Sequence, residues 1–318
     1  MASLDLNLMV SLDALLEERS VTRAAARMGL SQPALSASLA RLRRHFDDEL
    51  LTRVGNDYRL TPLAVQLREL VRIAMTGAER VFTAQPLFDP QSSTREFVLL
   101  VSDYATVTLG DTVAGLLTAE APHTRLRMSA HTPAVIERAE QALLSADLLL
   151  MPHGFVTDLP HRDLYRDEWV AVVASDNPIA ERGLTVADLH RLPWVVTYHG
   201  QTASTPAVRQ MRMLGIEPRI QVVVENFLAV PALVAGSDRI ALLQRRLVDL
   251  LPLNVGVRAL PLPFDVAPLI EAMWWHPAYD HDPEHLYLRD VLARAARQAV
   301  GDPAAEDISP VDRGPQNK

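Results

Sequence analysis

Residues 20–46, SVTRAAARMGLSQPALSASLARLRRHF, decide how the rest of the chain is read. Val21, Ala24, Ala25 and Met28 recur at i, i+3, i+4 and i+7, one apolar stripe on a short helix that Ser20 can cap. Gly29 supplies a turn. Ser31 can cap a second helix, Pro33 falls in its first turn where a missing N–H costs nothing, and Leu35, Leu39, Leu42 and Phe46 form its buried stripe. Pro33, Ala37, Ala40, Arg41 and Arg44 then face away from the core, flanked by Gln32 and Ser36. That face is narrow, with small residues and a few hydrogen-bond donors. The major groove, about 12 Å wide, admits a helix whose N-terminal side chains do not hold its backbone off the base edges. Gln can pair bidentately with adenine, and Ser can contact several bases. The stretch reads as a DNA-reading helix-turn-helix; taken alone, an αα-hairpin of an ordinary helical bundle would show the same stripes.

The flanks extend the reading. Leu4, Leu8, Met9, Leu12, Leu15 and Leu16 predict a first amphipathic helix that supports the pair. In DDELLTRVGNDYRLTP (47–62), two short apolar pieces flank Gly55, Asn56 and Asp57, the pattern of a β-wing. Arg53 and Arg59 flank its tip, placed either to reach phosphates or the minor groove or to remain solvated. Pro62 opens a long helix to about Phe82, with Leu63, Leu67, Leu70, Val71, Ala74, Ala78 and Val81 on one side. Such a seam calls for a partner helix: its own copy in a second subunit, or the other domain of the same chain.

Charge agrees with this placement. The 318-residue chain carries a net charge of -8, yet residues 1–72 hold 10 Arg against 9 acidic residues, and residues 19–59 hold 8 against 4. The acidic remainder would be repelled by phosphate, which orients the positive end toward DNA. With 48% hydrophobic residues the chain can form two or three cored domains. No apolar run approaches the roughly 18 residues of a membrane helix, and no basic-then-apolar leader opens the chain, so a cytoplasmic protein without membrane partners is expected. The absence of cysteine excludes disulfides, thiolate metal sites and a cysteine redox switch.

After the polar linker QPLFDPQSSTRE (85–96) the pattern alternates between strands and helices. FVLLVSD, a helix over YATVTLGDTVAGLLTAEAP, TRLRMSAH, a helix over VIERAEQALLSA, and DLLLMP predict a βαβαβ unit with a parallel sheet. DEWVAVVAS, WVVTYH, RIQVVVEN, IALL and VRALPL predict a second set of strands with intervening helices. PLIEAMWWH returns as a strand, Pro283 to Val300 closes as a helix, and residues 301–318 read as a disordered tail. The chain crosses between two α/β lobes near Arg166 and returns near Pro263. In open α/β sheets ligands lie at the carboxyl ends of strands. That rule selects Ser102, Asp103, Thr106 and His153 from one lobe and Gln201, Thr202, Ser204, Asn226 and Phe227 from the other as effector-binding candidates.

With these elements in place, SVTRAAARMGLSQPALSASLARLRRHFDDELLTRVGNDYRLTP is similar, almost position by position, to the N-terminal domain of LysR-type transcriptional regulators. FDPQSSTREFVLLVSDYA, FLAVPALVAGSDRIALLQRRL and LYLRDVL resemble the branch of nodulation regulators and regulators of aromatic degradation. The resemblance covers about residues 4–300. It implies an N-terminal winged helix-turn-helix (1–62), a dimerising linker helix and hinge (63–94), and a C-terminal α/β two-lobed effector domain resembling periplasmic binding proteins (95–300). Lobe I would comprise 95–165 and 264–300, and lobe II 166–263. It further implies a dimer, often a tetramer, on an inverted-repeat promoter site, with RNA polymerase as a further partner. Thr22, Ser31, Gln32, Pro33, Ser36, Arg41 and Arg53 are the candidate DNA-binding residues. Two departures stand out: Ala37 occupies a position where many members have Arg, and Gln244 one where Pro is common. The effector is expected to be small and aromatic or a carboxylate.

Rival functions are weaker. HPAYDHDPEH (276–285) gathers His276, His281, His285, Asp280 and Asp282, but its spacing matches no zinc motif, and the stretch reads as a polar turn with Asp282 capping the last helix. Trp274 and Trp275 read as core and rim. No metal or other cofactor is expected. The chain has no G-x-S-x-G, P-loop or G-x-G-x-x-G, which argues against an enzyme. An effector-independent architectural DNA binder is the alternative, and would show weak sequence preference.

Overall fold

Ser20 and Ser31 each accept a hydrogen bond from the backbone N–H three residues on, Arg23 N and Ala34 N, both at 3.4 Å. These caps fix where the two helices of the turn begin. The computed structural model describes residues 6–54, 57–83, 88–197 and 205–300. Leu4, the wing-tip residues Gly55 and Asn56, the effector candidates Gln201, Thr202 and Ser204, and the tail 301–318 lie outside them.

The first unit contains α1 (Leu6–Glu18), α2 (Val21–Met28), α3 (Gln32–Phe46), β1 (Leu51–Val54), β2 (Asp57–Leu60) and α4 (Pro62–Thr83). Gly29 closes α2 at φ +65°, a left-handed conformation that would strain any residue with a Cβ. Leu12, Leu15, Leu16, Ala24, Ala25, Leu35, Leu39 and Leu42 form one core. β1 and β2 pair antiparallel, with Leu51 opposite Leu60 and Val54 opposite Asp57. Asp48 Oδ1 accepts from Leu50 N (2.6 Å) and from Thr61 Oγ1 (2.7 Å), and Thr61 Oγ1 accepts from Ala64 N (3.1 Å). One carboxylate thus ties the base of the wing to the start of α4.

The seam on α4 divides in two. Ala64, Leu67, Val71 and Met75 pack into the core of the first unit, whereas Leu70 and Val81 are exposed. A 22-residue helix carries about six turns, enough for a second apolar face beside the one that meets α1.

The chain divides between residues 86 and 87. The second unit opens with β3 (Glu96–Val101), α5 (Asp103–Glu120), β4 (Arg125–Ala130), α6 (Pro133–Glu137), α7 (Ala139–Ala142), β5 (Leu148–Pro152) and β6 (His161–Asp167). It continues through β7 (Trp169–Ala174), α8 (Ile179–Arg182), α9 (Val186–Arg191), β8 (Pro193–Thr197), α10 (Pro206–Met213) and β9 (Arg219–Val224). Then come α11 (Val230–Val234), β10 (Ala241–Gln244), α12 (Arg245–Leu250), β11 (Val257–Leu260), β12 (Leu269–Trp274), a 3-10 turn at Pro277–Tyr279 and α13 (Pro283–Val300).

Lobe I is a five-stranded sheet in the order β4-β3-β5-β12-β6. β3 runs parallel to β4 and β5, as the βαβαβ reading requires, and β12 pairs antiparallel with β5 and β6. α5 and α13 cover one face through Leu109, Val113, Leu288, Val291 and Leu292. Arg294 joins the two helices by a forked pair with Glu120 (2.5 and 2.7 Å). The helix expected over VIERAEQALLSA is interrupted at Arg138, whose φ of -123° leaves the helical region and separates α6 from α7.

Lobe II does not repeat lobe I. β7 lies between β10 and β11, antiparallel to both, and β8 and β9 form a parallel pair. A bridge between Trp194 and Ile240 brings the two sheets together. The first crossing between lobes is short: β6 ends at Asp167 and β7 begins at Trp169.

Candidate DNA-reading and effector sites

The buried stripe of α3 fixes what its other side presents. With Leu35, Leu39 and Leu42 packed inward, Gln32, Pro33, Ser36, Ala37, Ala40, Arg41 and Arg44 are exposed, and so are Thr22 and Ser31. Ser31 spends its oxygen on capping α3. Arg41 has no ion pair or hydrogen bond with another described residue, whereas Arg43 is a structural clamp. Its Nε and Nη2 donate to the carbonyls of Glu49 (2.8 Å) and Leu51 (3.1 Å), anchoring the wing to α3. Arg23 and Arg27 pair with Glu18 and Asp13 of α1. The excess positive charge of this unit is therefore divided between scaffold and exposed face. Arg53 stands on β1 opposite Tyr58, with its backbone next to the wing tip.

In the second unit a small, partly open cavity lies between the lobes. Lobe I contributes Ser102, Tyr104, His131, Ile136, Met151, Phe155 and Glu271, and lobe II contributes Trp169, Thr205, Phe227 and Gln244. Of the predicted effector residues, Ser102 and Phe227 line it. Asp103, Thr106, His153 and Asn226 do not. Asp103 Oδ2 accepts from Leu228 N (2.7 Å), Thr106 Oγ1 donates to the Ser102 carbonyl (2.9 Å), the His153 imidazole meets Asp163, and Asn226 Oδ1 accepts from Ala229 N (2.9 Å). The strand-end rule leads to the end of the sheet where this cavity lies, but side-chain direction decides which residues reach the opening. Ser102 also caps α5 by accepting from Ala105 N (3.0 Å).

The wall is apolar with isolated polar atoms. Trp169, Gln244 and Glu271 are almost fully buried, and Trp169 Nε1, Gln244 Oε1 and Glu271 Oε1 have no hydrogen-bond partner among the described residues. Buried polar groups are ordinarily satisfied, so three such atoms on one cavity invite a ligand or water. Burial, with a lesser effect from the charge of Asp167, pushes the Glu271 carboxyl up to about 8, so at neutral pH it is mostly a neutral acid that can donate. Burial also lowers the affinity of His131 for a proton, which favours its neutral form. No Arg or Lys is among the described lining residues.

Three contacts clasp the lobes around this opening. Asp103 reaches Leu228 N, as above. Tyr104 OH donates to Asp167 Oδ2 (2.6 Å), while Glu168 N and Arg246 N donate to the same carboxylate. Arg209 of α10 donates to the Gly154 carbonyl (2.9 Å), and its guanidinium lies 4.8 Å from the Phe155 ring centroid.

Three of the HPAYDHDPEH side chains are employed elsewhere. Asp280 Oδ1 accepts from Trp275 Nε1 (2.6 Å), Asp282 Oδ1 caps α13 at Glu284 N and His285 N, and His285 Nε2 lies 2.8 Å from the Asp147 carbonyl.

Comparison with known proteins accounts for both units. Residues 6–65 match the bacterial regulatory helix-turn-helix protein, lysR family, and residues 91–297 match the LysR substrate binding domain. The chain belongs to the LysR family of transcriptional regulators. This LysR protein is 33% identical to nodulation protein D 2 of Rhizobium tropici over 310 residues, covering 96% of this chain and 97% of the relative. It is 34% identical to nodulation protein D 1 of Mesorhizobium japonicum over 299 residues, covering 92% and 93%. Among solved structures, a probable transcriptional regulator, PA0477 from Pseudomonas aeruginosa, superposes with a TM-score of 0.68 at 28% identity, covering 91% of this chain and 96% of that one. Full-length CbnR in complex with its target DNA shares the fold, with a TM-score of 0.64 at 16% identity, covering 93% and 100%. A LysR regulator binds DNA through its helix-turn-helix and carries an effector-binding domain; it is not an enzyme. No helix among the described residues is long and apolar enough to cross a membrane.

Proposed function

We propose that this regulator reads an inverted-repeat promoter site as a dimer or tetramer and responds to an uncharged aromatic effector held between its lobes. Gln32, Pro33, Ser36 and Thr22 are assigned to the bases, with Arg41 and Arg53 on the backbone phosphates and Ser31 positioning α3. Dimerisation is assigned to the outer face of α4, where Leu70 and Val81 are exposed. Two copies of that helix would set two reading heads against successive turns of the duplex.

The observation that carries the effector assignment is the cavity wall. Burying a carboxylate without a cation or several donors is costly, and the described lining residues supply neutral groups only. Flat aromatic walls from Trp169, Phe227 and Phe155 suit a planar ligand, and the unpartnered atoms of Trp169, Gln244 and Glu271 suit hydroxyl and carbonyl substituents. This favours the aromatic over the carboxylate half of the expected effector class. A ligand that prefers one degree of lobe closure by about 1–3 kcal/mol would change promoter occupancy several-fold or more.

The test is footprinting on the intergenic DNA next to the protein's own gene, with a panel of neutral phenols and the corresponding aromatic acids. A footprint altered by neutral members and not by the acids supports the assignment. A response confined to the acids overturns it, and a footprint indifferent to every compound and to sequence favours the architectural alternative.

A further inference from the structure

Away from both sites, one group of metal-ligating side chains converges among the described residues. His153 follows β5, and His161 and Asp163 lie on β6, with one ligand atom from each within 4.8 Å of the others. Sheet pairing assembles the group. His161 lies opposite Trp274 and Asp163 opposite Ala272 on β12, and alternate residues of a strand share a face. On the other side of β12, Met151 lies opposite Ala272, so His153, two residues on, comes to the same face. His153 Nε2 is 2.6 Å from Asp163 Oδ1.

The surroundings hold both imidazoles. Trp274 is buried and donates Nε1–H to the Met151 carbonyl (2.8 Å). Its ring centroid lies 5.2 Å from that of His153 and 4.4 Å from that of His161. The Leu159 carbonyl is 3.3 Å from His161 Nδ1. With Nδ1–H donated there, the Nε2 lone pair is directed to a ligand, the carbonyl-to-histidine support found behind metal-binding imidazoles.

We propose that His153, His161 and Asp163 form a three-ligand site for a divalent transition-metal ion of the zinc, nickel or copper kind. Two imidazoles and one carboxylate suit these ions better than calcium or magnesium, which prefer all-oxygen shells. Metal–ligand bonds of about 2.0–2.2 Å around a tetrahedron separate the ligand atoms by roughly 3.3 Å, within the span already present. The side chains of His153 and Asp163 are 38% and 47% exposed, which gives the ion a route in and the ligands room to rotate. A fourth position stays open to water.

The ion would also close the loop 154–160. That loop carries Phe155 into the cavity wall and offers the Gly154 carbonyl to Arg209 of the other lobe. A bond from His153 to His161 through the metal makes the loop a short ring and restrains both contacts. That restraint bears on an effector only through the function proposed above. Neither measurement below uses an effector, so the metal site and that function can fail separately.

Calorimetric titration of the chelator-stripped full chain with ZnCl2, repeated with NiCl2, should show one strong site per chain. His161→Ala and Asp163→Asn should each weaken binding by at least about tenfold, and His281→Ala, an exposed histidine elsewhere, should leave it unchanged. Because His161 packs on Trp274, the exposed Asp163→Asn change guards against a folding defect. Undiminished zinc binding in both ligand variants, or no strong site in the wild type, overturns the proposal. Hydrogen exchange of amides 154–159 should slow with ZnCl2 in the wild type and not in Asp163→Asn; equal rates with and without zinc in the wild type overturn the loop closure.

Discussion

Replacing Glu271 by Gln should change how the stability of the effector domain depends on pH. Glu271 sits in β12, only 1% exposed, and burial raises its carboxyl from 4.5 to about 8. Between those values the folded chain keeps a proton that the unfolded chain has lost. Stability from this group is therefore fully present below pH 4.5, falls as pH rises through the window, and levels off above 8. Each pH unit inside the window is worth about 1.4 kcal/mol, so between pH 5 and pH 8 the wild type should lose on the order of 4 kcal/mol from this residue. Gln is nearly isosteric, hydrogen-bonds, and has no such titration. Melting temperatures of wild type and E271Q measured from pH 5 to pH 9 share every other titrating group, so their difference isolates Glu271. At about 2–4 °C per kcal/mol for a domain of this size, the variant should gain on the order of 10 °C over the wild type between the two ends. A difference that stays constant across the range would refute the reasoning, because it would mean that Glu271 is ionised in the folded protein or that its environment is hydrated.

Other perturbations separate the roles assigned to particular residues. Gln32→Ala should cost about 1–3 kcal/mol in discrimination between the specific site and random DNA, seen in competition binding; equal losses on both DNAs would remove Gln32 from base reading. Arg41→Ala should weaken binding to all sequences and lower the salt slope by about one ion. Tyr104→Phe leaves Asp167 with one hydrogen bond fewer and should destabilise the effector domain by about 1–3 kcal/mol in denaturant unfolding, with DNA affinity of the effector-free protein measured alongside.

The reading head was legible because its determinants are local. Ser20, Gly29, Ser31 and the Leu35–Leu39–Leu42 stripe lie within one short stretch, and each acts on neighbours three or four residues away. The same holds for β3, α5 and β4. The cavity was much less legible, since Ser102, Trp169, Gln244 and Glu271 meet only after two sheets have formed. Two signals were nevertheless in the chain: an acid in the apolar strand LIEAMWW, and Gln244 at a position where Pro is common. β6 escaped the pattern because HRDLYRD is an edge strand, with charged residues on its solvent side. The antiparallel placement of β7 between β10 and β11 also has no local signature, because direction is set by the path of the intervening chain. The spacing of HPAYDHDPEH can be read locally as a polar turn, whereas His153, His161 and Asp163 come together only through strand pairing and leave no local signature.

The Asp167 carboxylate receives Tyr104 OH from lobe I and Arg246 N from lobe II, at a crossing where only Glu168 separates β6 from β7. So short a joint leaves the lobes little slack. It also gives mutation a route around the ligand: alleles that remove the Asp167 carboxylate release one clasp wherever the effector stands, and those that remove Tyr104 OH loosen the carboxylate's anchor on lobe I. A selection for promoters that fire without inducer, or fail to fire with it, should therefore return substitutions here, at positions that would alter the set point of the switch and leave its recognition of DNA intact.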